Sequence, residues 1–188
     1  MPRRLGITKR KLVVHDWGGL ALIGAQRRAE LIEKLVVINA VPLLPGYRWH
    51  WVAQIWRRRG LGELANATTT KSSMGLIMRQ AKGDRGAMPK EFVDATWRYW
   101  DKGTSQATLA LYRHADSDRL AAAGKDLSRL TCPSLVLWGD RDPYLPTKFA
   151  AAYARALPSS TLQVVPAAGH WPWIDDARVV DDVLEFVR

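Results

Sequence analysis

The chain lacks several features that would place it in a specialised class of protein. Its single cysteine, Cys132, cannot form an internal disulfide, so a reducing compartment is expected and cytoplasmic localisation is predicted. The basic first residues are not followed by an apolar signal core, and no apolar run approaches about 18 residues. The sequence therefore predicts neither secretion nor a membrane span.

Metal and nucleotide chemistry also lack a recognisable pattern. No group of His, Cys, Asp and Glu shows metal-ligand spacing, and no glycine-rich phosphate loop occurs. The net charge is +10, with basic clusters over residues 2–11, 57–59 and 71–90. Because no nucleic-acid-binding motif accompanies this charge, we interpret it as solvated surface and expect no nucleic-acid partner. No cofactor is predicted.

What the sequence does contain is the pattern of an α/β protein. Continuous apolar runs predict strands over residues 11–14, 34–38, 134–138 and 161–165, and the intervening segments predict helices over residues 20–30, 148–157 and 177–187. Strands that are apolar on both faces are typical of a parallel sheet covered by helices. The chain should therefore carry its functional groups at the carboxyl ends of the strands.

The periodicity changes between residues 41 and 130, where amphipathic helices are predicted over residues 91–100 and 107–114. Five of the nine tryptophans fall in this segment. We predict a partial core domain made of residues 1–40 and 131–188, with residues 41–130 inserted as a helical cap over the strand ends. The aromatic residues of the cap either contact substrate or form the cap's own core.

Three of the predicted strands end in polar residues. Asp16 follows the first strand in the motif His-Asp-Trp-Gly-Gly, where it is either a displayed nucleophile or an ordinary helix N-cap. Asp140 and Asp142 follow the third strand in Trp-Gly-Asp-Arg-Asp, and His170 follows the fourth in Gly-His. The order nucleophile, acid and base along the chain is that of α/β-hydrolases.

These motifs resemble those of the aspartate-nucleophile α/β-hydrolases, the group of haloalkane dehalogenases and epoxide hydrolases. The resemblance covers nearly the whole chain and implies a catalytic triad of Asp16, Asp142 and His170, with Asp140 as the alternative acid. Asp16 would form a covalent alkyl ester with a small apolar haloalkane or epoxide, and water activated by His170 would hydrolyse it. Val14 stands where many members of the family have glycine, which should crowd the turn.

The resemblance also assigns roles around the substrate. Trp17 would donate its backbone N–H to an oxyanion or its indole N–H to a halide. In the cap, Tyr112 resembles a tyrosine that protonates an opening epoxide, although it is equally an ordinary residue of an amphipathic helix. Trp49, Trp51 or Trp56 would be the second halide donor of a dehalogenase. The residues do not decide between epoxide and halide.

The resemblance begins midway through the family's domain, because only ten residues precede the first predicted strand. The expected protein is an N-terminally truncated α/β-hydrolase whose first strand is an exposed apolar edge, through which the chain would associate. A catalytically impaired fragment or small-ligand binding remnant is therefore one alternative. A serine-type esterase is another, which the absence of Ser or Cys at the turn disfavours.

Overall fold

The computed structural model describes residues 8–188, so most of the basic cluster over residues 2–11 lies outside the described part. Four parallel strands form one sheet in the order β1 (Arg10–Asp16), β2 (Ile32–Ala40), β3 (Ser134–Gly139) and β4 (Ser160–Val165). The predicted α/β fold with a parallel sheet is confirmed, and the strands extend one or two residues beyond their predicted bounds at several ends.

The burial of each strand follows its place in the sheet. All six residues of β3 and the last six of β2 are buried, since both strands are interior and both faces are covered. Along β2, Leu35 and Val37 pack on one face with α8 (Lys148–Ala156), whereas Val36 and Ile38 pack on the other with α10 (Arg178–Val187). This alternation divides the core into two layers.

Strand β1 is an edge of the sheet within the described residues, as the sequence predicted. Its burial alternates, and the Val13 side chain remains 48% exposed. A strand at the edge of a sheet has a hydrogen-bonded neighbour on one side only. On its other side, β1 therefore presents backbone N–H and C=O groups that no strand of the described residues pairs with. Association through this edge remains a prediction.

The single helix predicted over residues 20–30 is wrong. The structure has a short 3₁₀ helix (Trp17–Leu20), α1 (Ala21–Ala25) and a second 3₁₀ helix (Gln26–Leu31), in which Arg28 leaves helical geometry at φ −134° and ψ 48°. Glycines in this segment weaken helix propensity. In addition, the buried Gln26 side chain bonds to the Ala123 carbonyl and, at 3.1 Å, to the Asp126 N–H. Tertiary contacts therefore override the helical pattern.

Between β2 and β3 lies a segment that we call the helical segment (residues 41–133). Its six α-helices are α2 (Trp51–Arg57), α3 (Leu61–Ala67), α4 (Lys71–Gln80), α5 (Lys90–Arg98), α6 (Lys102–His114) and α7 (Ser117–Ala123). The two helices predicted here correspond to α5 and α6, the latter starting five residues earlier than expected. The remaining α-helix, α9 (Pro172–Asp175), follows β4. Among the described residues, no helix combines the length and apolar character needed to cross a membrane.

Candidate active site

The ends of three strands bring the predicted polar residues together. Asp16 ends β1, Asp142 lies just beyond β3, and His170 lies beyond β4. The Nδ1 atom of His170 is 2.8 Å from Oδ2 of Asp142, and its Nε2 atom is 3.9 Å from Oδ1 of Asp16. The imidazole therefore stands between two carboxylates that are 126 residues apart in the sequence. Parallel strands produce this convergence because their carboxyl ends share one edge of the sheet.

Asp16 adopts a backbone conformation that few non-glycine residues use. Its φ of 47° and ψ of −124° turn the chain sharply from β1 into the 3₁₀ helix, and Val41 N–H donates to the Asp16 carbonyl at 3.0 Å. Such a conformation costs free energy and is retained where the surrounding structure imposes it. The turn displays the Asp16 side chain, which is 33% exposed. Because this side chain makes no capping hydrogen bond, Asp16 is not a simple N-cap.

The glycines after Asp16 are not equally constrained. A Cβ atom at Gly19 would lie 3.2 Å from both the Ala40 Cβ and the Val41 carbonyl oxygen, so this position requires glycine or a displaced neighbour. A Cβ at Gly18 would meet only Val14 Cβ, at an ordinary contact distance of 3.8 Å. The expected crowding by Val14 is therefore absent, and the tight approach lies one residue further along.

Asp142 is completely enclosed. Its Oδ2 accepts from Asn39 Nδ2 at 2.7 Å as well as from His170, and its Oδ1 accepts from the backbone N–H groups of Tyr144 at 2.8 Å and Leu145 at 3.1 Å. Its side chain has no exposed surface. Asp140, the alternative acid, is exposed and has no contact with His170 in the described hydrogen bonds and ion pairs.

The sequence analysis assigned no role to Asn39. The structure shows that Asn39 joins β2 to β3, because its Oδ1 accepts from Gly139 N–H at 2.9 Å while its Nδ2 donates to Asp142. Its positive φ of 32° turns the side chain at the strand end, and asparagine tolerates that region better than most residues. An asparagine closing an otherwise apolar strand was the signal available in the sequence.

The charges of Asp16, Asp142 and His170 influence one another. Burial disfavours the imidazolium form of His170, but Asp142 and Asp16 outweigh that effect and raise the pKa of His170 to about 10. Burial alone would raise the pKa of Asp16, yet interaction with His170 keeps that pKa below its usual value. The site therefore holds an anionic carboxylate beside a cationic imidazole at neutral pH.

His15, which the sequence did not link to the site, contacts both the backbone and the ring of His170. Its Nε2 is 2.8 Å from the His170 carbonyl oxygen, and the two imidazole rings lie 4.8 Å apart. Burial, followed by the neighbouring His170, lowers the pKa of His15 to about 4. A neutral His15 carrying its proton on Nε2 can donate to that carbonyl group.

A cavity of about 230 Å³ lies between this site and the helical segment. Asp16 and His170 line it from the sheet side. Most of the other lining side chains are apolar or aromatic and come from the helical segment, among them Trp49, Trp56 and Tyr112 as predicted. Residues that the sequence analysis did not propose as substrate contacts also line it: Tyr47, His50, Met74, Ile77, Met78, Trp100, Tyr144 and Trp171. The arrangement can receive a small apolar molecule beside Asp16.

The predicted substrate contact of Trp51 is wrong. Its side chain is 55% exposed and does not line the cavity. Val52 and Trp56 of the same helix do line it, and they lie four residues apart on one face. Trp51 precedes Val52 by one residue and is therefore rotated by about 100° away from that face.

The indole groups of the other tryptophans are engaged differently from the prediction for a halide site. Trp49 donates its Nε1–H to the Ala115 carbonyl at 2.8 Å. Trp17 is stacked on Trp49 with ring centroids 5.2 Å apart and meets the Tyr112 ring edge-on at 4.9 Å, and it is not among the lining residues. After the larger effects of burial and of His170, the backbone N–H of Trp17 also contributes to lowering the pKa of Asp16. A role in binding an oxyanion or halide remains a prediction.

Comparison with known proteins agrees with this fold. The profile described as "Alpha/beta hydrolase family" matches residues 7–183, so this chain belongs to the α/β-hydrolase family. Among curated relatives, epoxide hydrolase 1 of Caenorhabditis elegans is 26% identical over 95% of this chain and 47% of its own length. Epoxide hydrolase 3 of Mus musculus is 24% identical over 89% of this chain and 48% of its own length. The chain thus spans about half the length of these two relatives.

Solved structures show the same fold. A meta-cleavage product hydrolase from Pseudomonas fluorescens IP01 superposes with a TM-score of 0.77 at 20% identity, covering 99% of this chain and 67% of that one. A structure described as that of an ancestral haloalkane dehalogenase superposes with a TM-score of 0.73 at 19% identity, covering 99% of this chain and 71% of that one. At these identities the likeness establishes the architecture and leaves the reaction to be argued from the site.

Proposed function

We propose that this chain is an aspartate-nucleophile hydrolase that converts small apolar epoxides to diols through an ester on Asp16. The observation that carries the proposal is the position of His170, whose Nδ1 faces the enclosed Asp142 and whose Nε2 faces the displayed Asp16 at the cavity. In this arrangement a carboxylate occupies the place where an esterase would need a serine, which argues against the esterase alternative. The similarity to epoxide hydrolases is consistent with this choice.

In the first step, an Asp16 carboxylate oxygen attacks an epoxide carbon, and the carbon–oxygen bond of the ring breaks. The oxygen that leaves needs a proton, and the phenol of Tyr112 lies at the cavity to supply it. Burial, reinforced by the charge of Asp16, raises the pKa of Tyr112, so the phenol is fully protonated before reaction. The products of this step are a hydroxyalkyl ester and a tyrosinate.

In the second step, the His170 imidazolium returns a proton to the Tyr112 tyrosinate, and the neutral imidazole then removes a proton from water, so that hydroxide attacks the ester carbonyl. The alkoxide leaves and takes up the proton brought by the hydroxide, which gives the diol and the Asp16 carboxylate, and His170 is again an imidazolium as before the reaction. Ester formation removes the charge of Asp16 from beside His170, so the pKa of the imidazole falls when a base is needed. Asp142 holds the ring through its hydrogen bond to Nδ1 of His170.

A halide substrate has weaker support. Of the three tryptophans that were predicted as halide donors, Trp51 is exposed and the N–H of Trp49 bonds to Ala115, which leaves Trp56. By contrast, the Tyr112 hydroxyl has no acceptor among the described hydrogen bonds, so it is available to a leaving oxygen. We therefore favour the epoxide.

The test traps the proposed ester. The variant His170→Gln, incubated with styrene oxide, should gain the mass of one substrate molecule on the peptide that contains Asp16, because ester formation does not need the base. The double variant Asp16→Asn/His170→Gln is the matched control and should remain unmodified. If the single variant stays unmodified with a panel of epoxides and 1-bromoalkanes, the chain is a non-catalytic fragment or binding remnant. An adduct with bromoalkanes alone would replace the epoxide by a halide substrate.

A further inference from the structure

A junction forms where the end of α4 meets the loop that carries His170. A Cβ atom on Gly83 would lie 1.8 Å from the Ala167 carbonyl oxygen, and one on Gly169 would lie 2.0 Å from the Ala81 carbonyl oxygen. These distances allow no side chain at either glycine, so the two backbones touch directly. The helical segment and the loop that carries His170, which we call the base loop, are therefore in backbone contact beside His170.

Asp175 joins the two sides of this junction. Its Oδ2 accepts from Gly83 N–H at 3.0 Å and from Gly169 N–H at 2.8 Å, so one carboxylate oxygen holds both backbones. The side chain is 9% exposed, and its Oδ1 lies 3.6 Å from Lys82 Nζ. Hydrogen bonds to a buried carboxylate are stronger than those to neutral acceptors.

The junction also contacts His170 and the loop after β3 that carries Asp142. The backbone N–H of His170 donates to the Ala81 carbonyl at 2.7 Å. Arg141, next to the acid Asp142, donates from its backbone N–H to the Ala168 carbonyl at 2.8 Å and from its guanidinium group to the Gly83 carbonyl at 3.3 Å. The peptide groups on both sides of Gly169 are thus held by partners from other segments.

The same helix that enters the junction forms part of the cavity. Met74, Ile77 and Met78 of α4 line the cavity, and the Tyr144 hydroxyl donates to the Ile77 carbonyl at 3.4 Å. A displacement of α4 would therefore move the cavity wall and the Ala81 carbonyl that anchors His170. The base and the wall are connected through a few hydrogen bonds.

We propose that Asp175 is a positioning residue, which fixes the backbone of the His170 loop against α4 and thereby holds the imidazole where it can activate water. This inference rests on the proposed function, because it assigns His170 to the hydrolysis of the ester. Ester formation uses Asp16 and does not require the base. Loss of Asp175 should therefore slow the second step more than the first.

The experiment compares three variants. In Asp175→Ala, hydrolysis of the ester with styrene oxide should slow by about tenfold or more while ester formation is nearly unchanged, so that the adduct on Asp16 accumulates. In Asp175→Asn, the amide oxygen can still accept both N–H bonds, so we expect an intermediate effect. The control is Asp84→Asn. The exposed Asp84 carboxylate is another partner of Lys82, 2.8 Å from Nζ, and it does not contact the base loop. This variant should behave as the parent chain.

A loss of folded protein must be distinguished from a loss of positioning of the imidazole. A variant that only unfolds in part would lose both chemical steps in the same proportion, and such a parallel loss would overturn the proposal. So would an Asp175→Ala chain whose ester is hydrolysed at the parent rate. Single-turnover rates per folded molecule, with the folded fraction determined by circular dichroism, distinguish these results from selective loss of the second step.

A second measurement does not depend on activity. Hydrogen exchange by NMR should show that the backbone amides of Gly83, Gly169 and His170 exchange about tenfold or more faster in Asp175→Ala than in Asp84→Asn, with amides of β3 unchanged. If the parent chain shows neither turnover nor adduct, the proposed function fails. Unchanged exchange at the three amides would reject the positioning role of Asp175 by itself.

Discussion

Asp16 and Asp142 are the same chemical group at the ends of two parallel strands, yet their surroundings differ in every respect. Asp142 has no exposed side-chain surface and accepts four hydrogen bonds. Asp16 is 33% exposed, borders the cavity and occupies a strained backbone conformation. A carboxylate whose lone pairs are engaged can orient a base, whereas one with free lone pairs can attack carbon. Environment, and not residue type, therefore separates the two proposed roles.

The largest expected effect comes from removing the displayed carboxylate. Asp16→Asn should abolish ester formation, a loss of about 10⁴-fold or more in kcat, because the attacking oxygen is replaced by an amide. Asp142→Asn should retain ester formation and lose the hydrolysis step. Rapid-quench mass spectrometry of the Asp16 peptide measures both. Ester formation that survives Asp16→Asn would mean that the two carboxylates do not have the proposed roles.

For stability, replacing Asp142 should have the larger effect and replacing Asp16 the smaller one. Asp142→Ala should lower the free energy of unfolding by about 3–5 kcal/mol, since it leaves buried donors of Asn39, Tyr144 and Leu145 without an acceptor. Asp16→Gly should change it by less than about 1 kcal/mol, because relief of backbone strain offsets the lost attraction to His170. Urea unfolding followed by circular dichroism gives both values. Equal losses in the two variants would remove the distinction.

The proposed proton donor gives a smaller effect on activity. Tyr112→Phe should slow ester formation from styrene oxide by about 10²-fold, because the leaving oxygen loses its proton source. The exposed Trp51 offers a control in the same segment, and Trp51→Phe should leave the rate unchanged. Single-turnover kinetics at saturating substrate measures this step. A Tyr112→Phe chain with the parent rate would favour a substrate whose leaving group needs no proton.

A further expected effect is a pH dependence of stability, to which both carboxylates contribute. Because they raise the pKa of His170 to about 10 from an ordinary 6.5, the imidazolium stabilises the fold fully below pH 6.5. That contribution is lost as the pH rises toward 10. The stability difference between the parent chain and His170→Gln should therefore shrink across this window. In Asp16→Asn, one of the two anions is absent, so the loss should be complete at a lower pH.

Other histidines do not obscure this measurement. Burial lowers the pKa of His15 and of His50 to about 4. Their neutral forms stabilise the fold above pH 6.5, and this contribution is lost as the pH falls from 6.5 toward 4. The two windows therefore lie on opposite sides of pH 6.5. Unfolding curves at pH 5, 6.5 and 9 separate them.

The strand-end motifs were predictable because each depends on a short stretch of sequence. An apolar run followed by His-Asp-Trp-Gly-Gly, by Trp-Gly-Asp-Arg-Asp or by Gly-His predicted the strand, its end and the polar residue there. Since parallel strands align their carboxyl ends, the approach of Asp16, Asp142 and His170 followed from the topology. The family resemblance favoured Asp142 over Asp140, and the structure places Asp142 against His170.

The helical segment was less predictable. An amphipathic pattern identified α5 and α6, but did not reveal that Trp49 uses its N–H on Ala115 or that Trp51 faces away from the cavity. A tryptophan has the same apolar character on either face of a helix. Its direction depends on which neighbour packs against the helix, and that neighbour comes from a distant part of the chain.

By itself, the sequence determined the class of fold, the positions of the four strands along the chain and the polar residues at three strand ends, because these depend on local periodicity and on the rules of parallel sheets. Only the tertiary structure decided how Asn39 braces Asp142, which aromatic residues line the cavity and how Asp175 binds α4 to the His170 loop. These contacts join residues up to about a hundred positions apart in the chain. Their geometry is set when the segments pack together, and no local pattern specifies it.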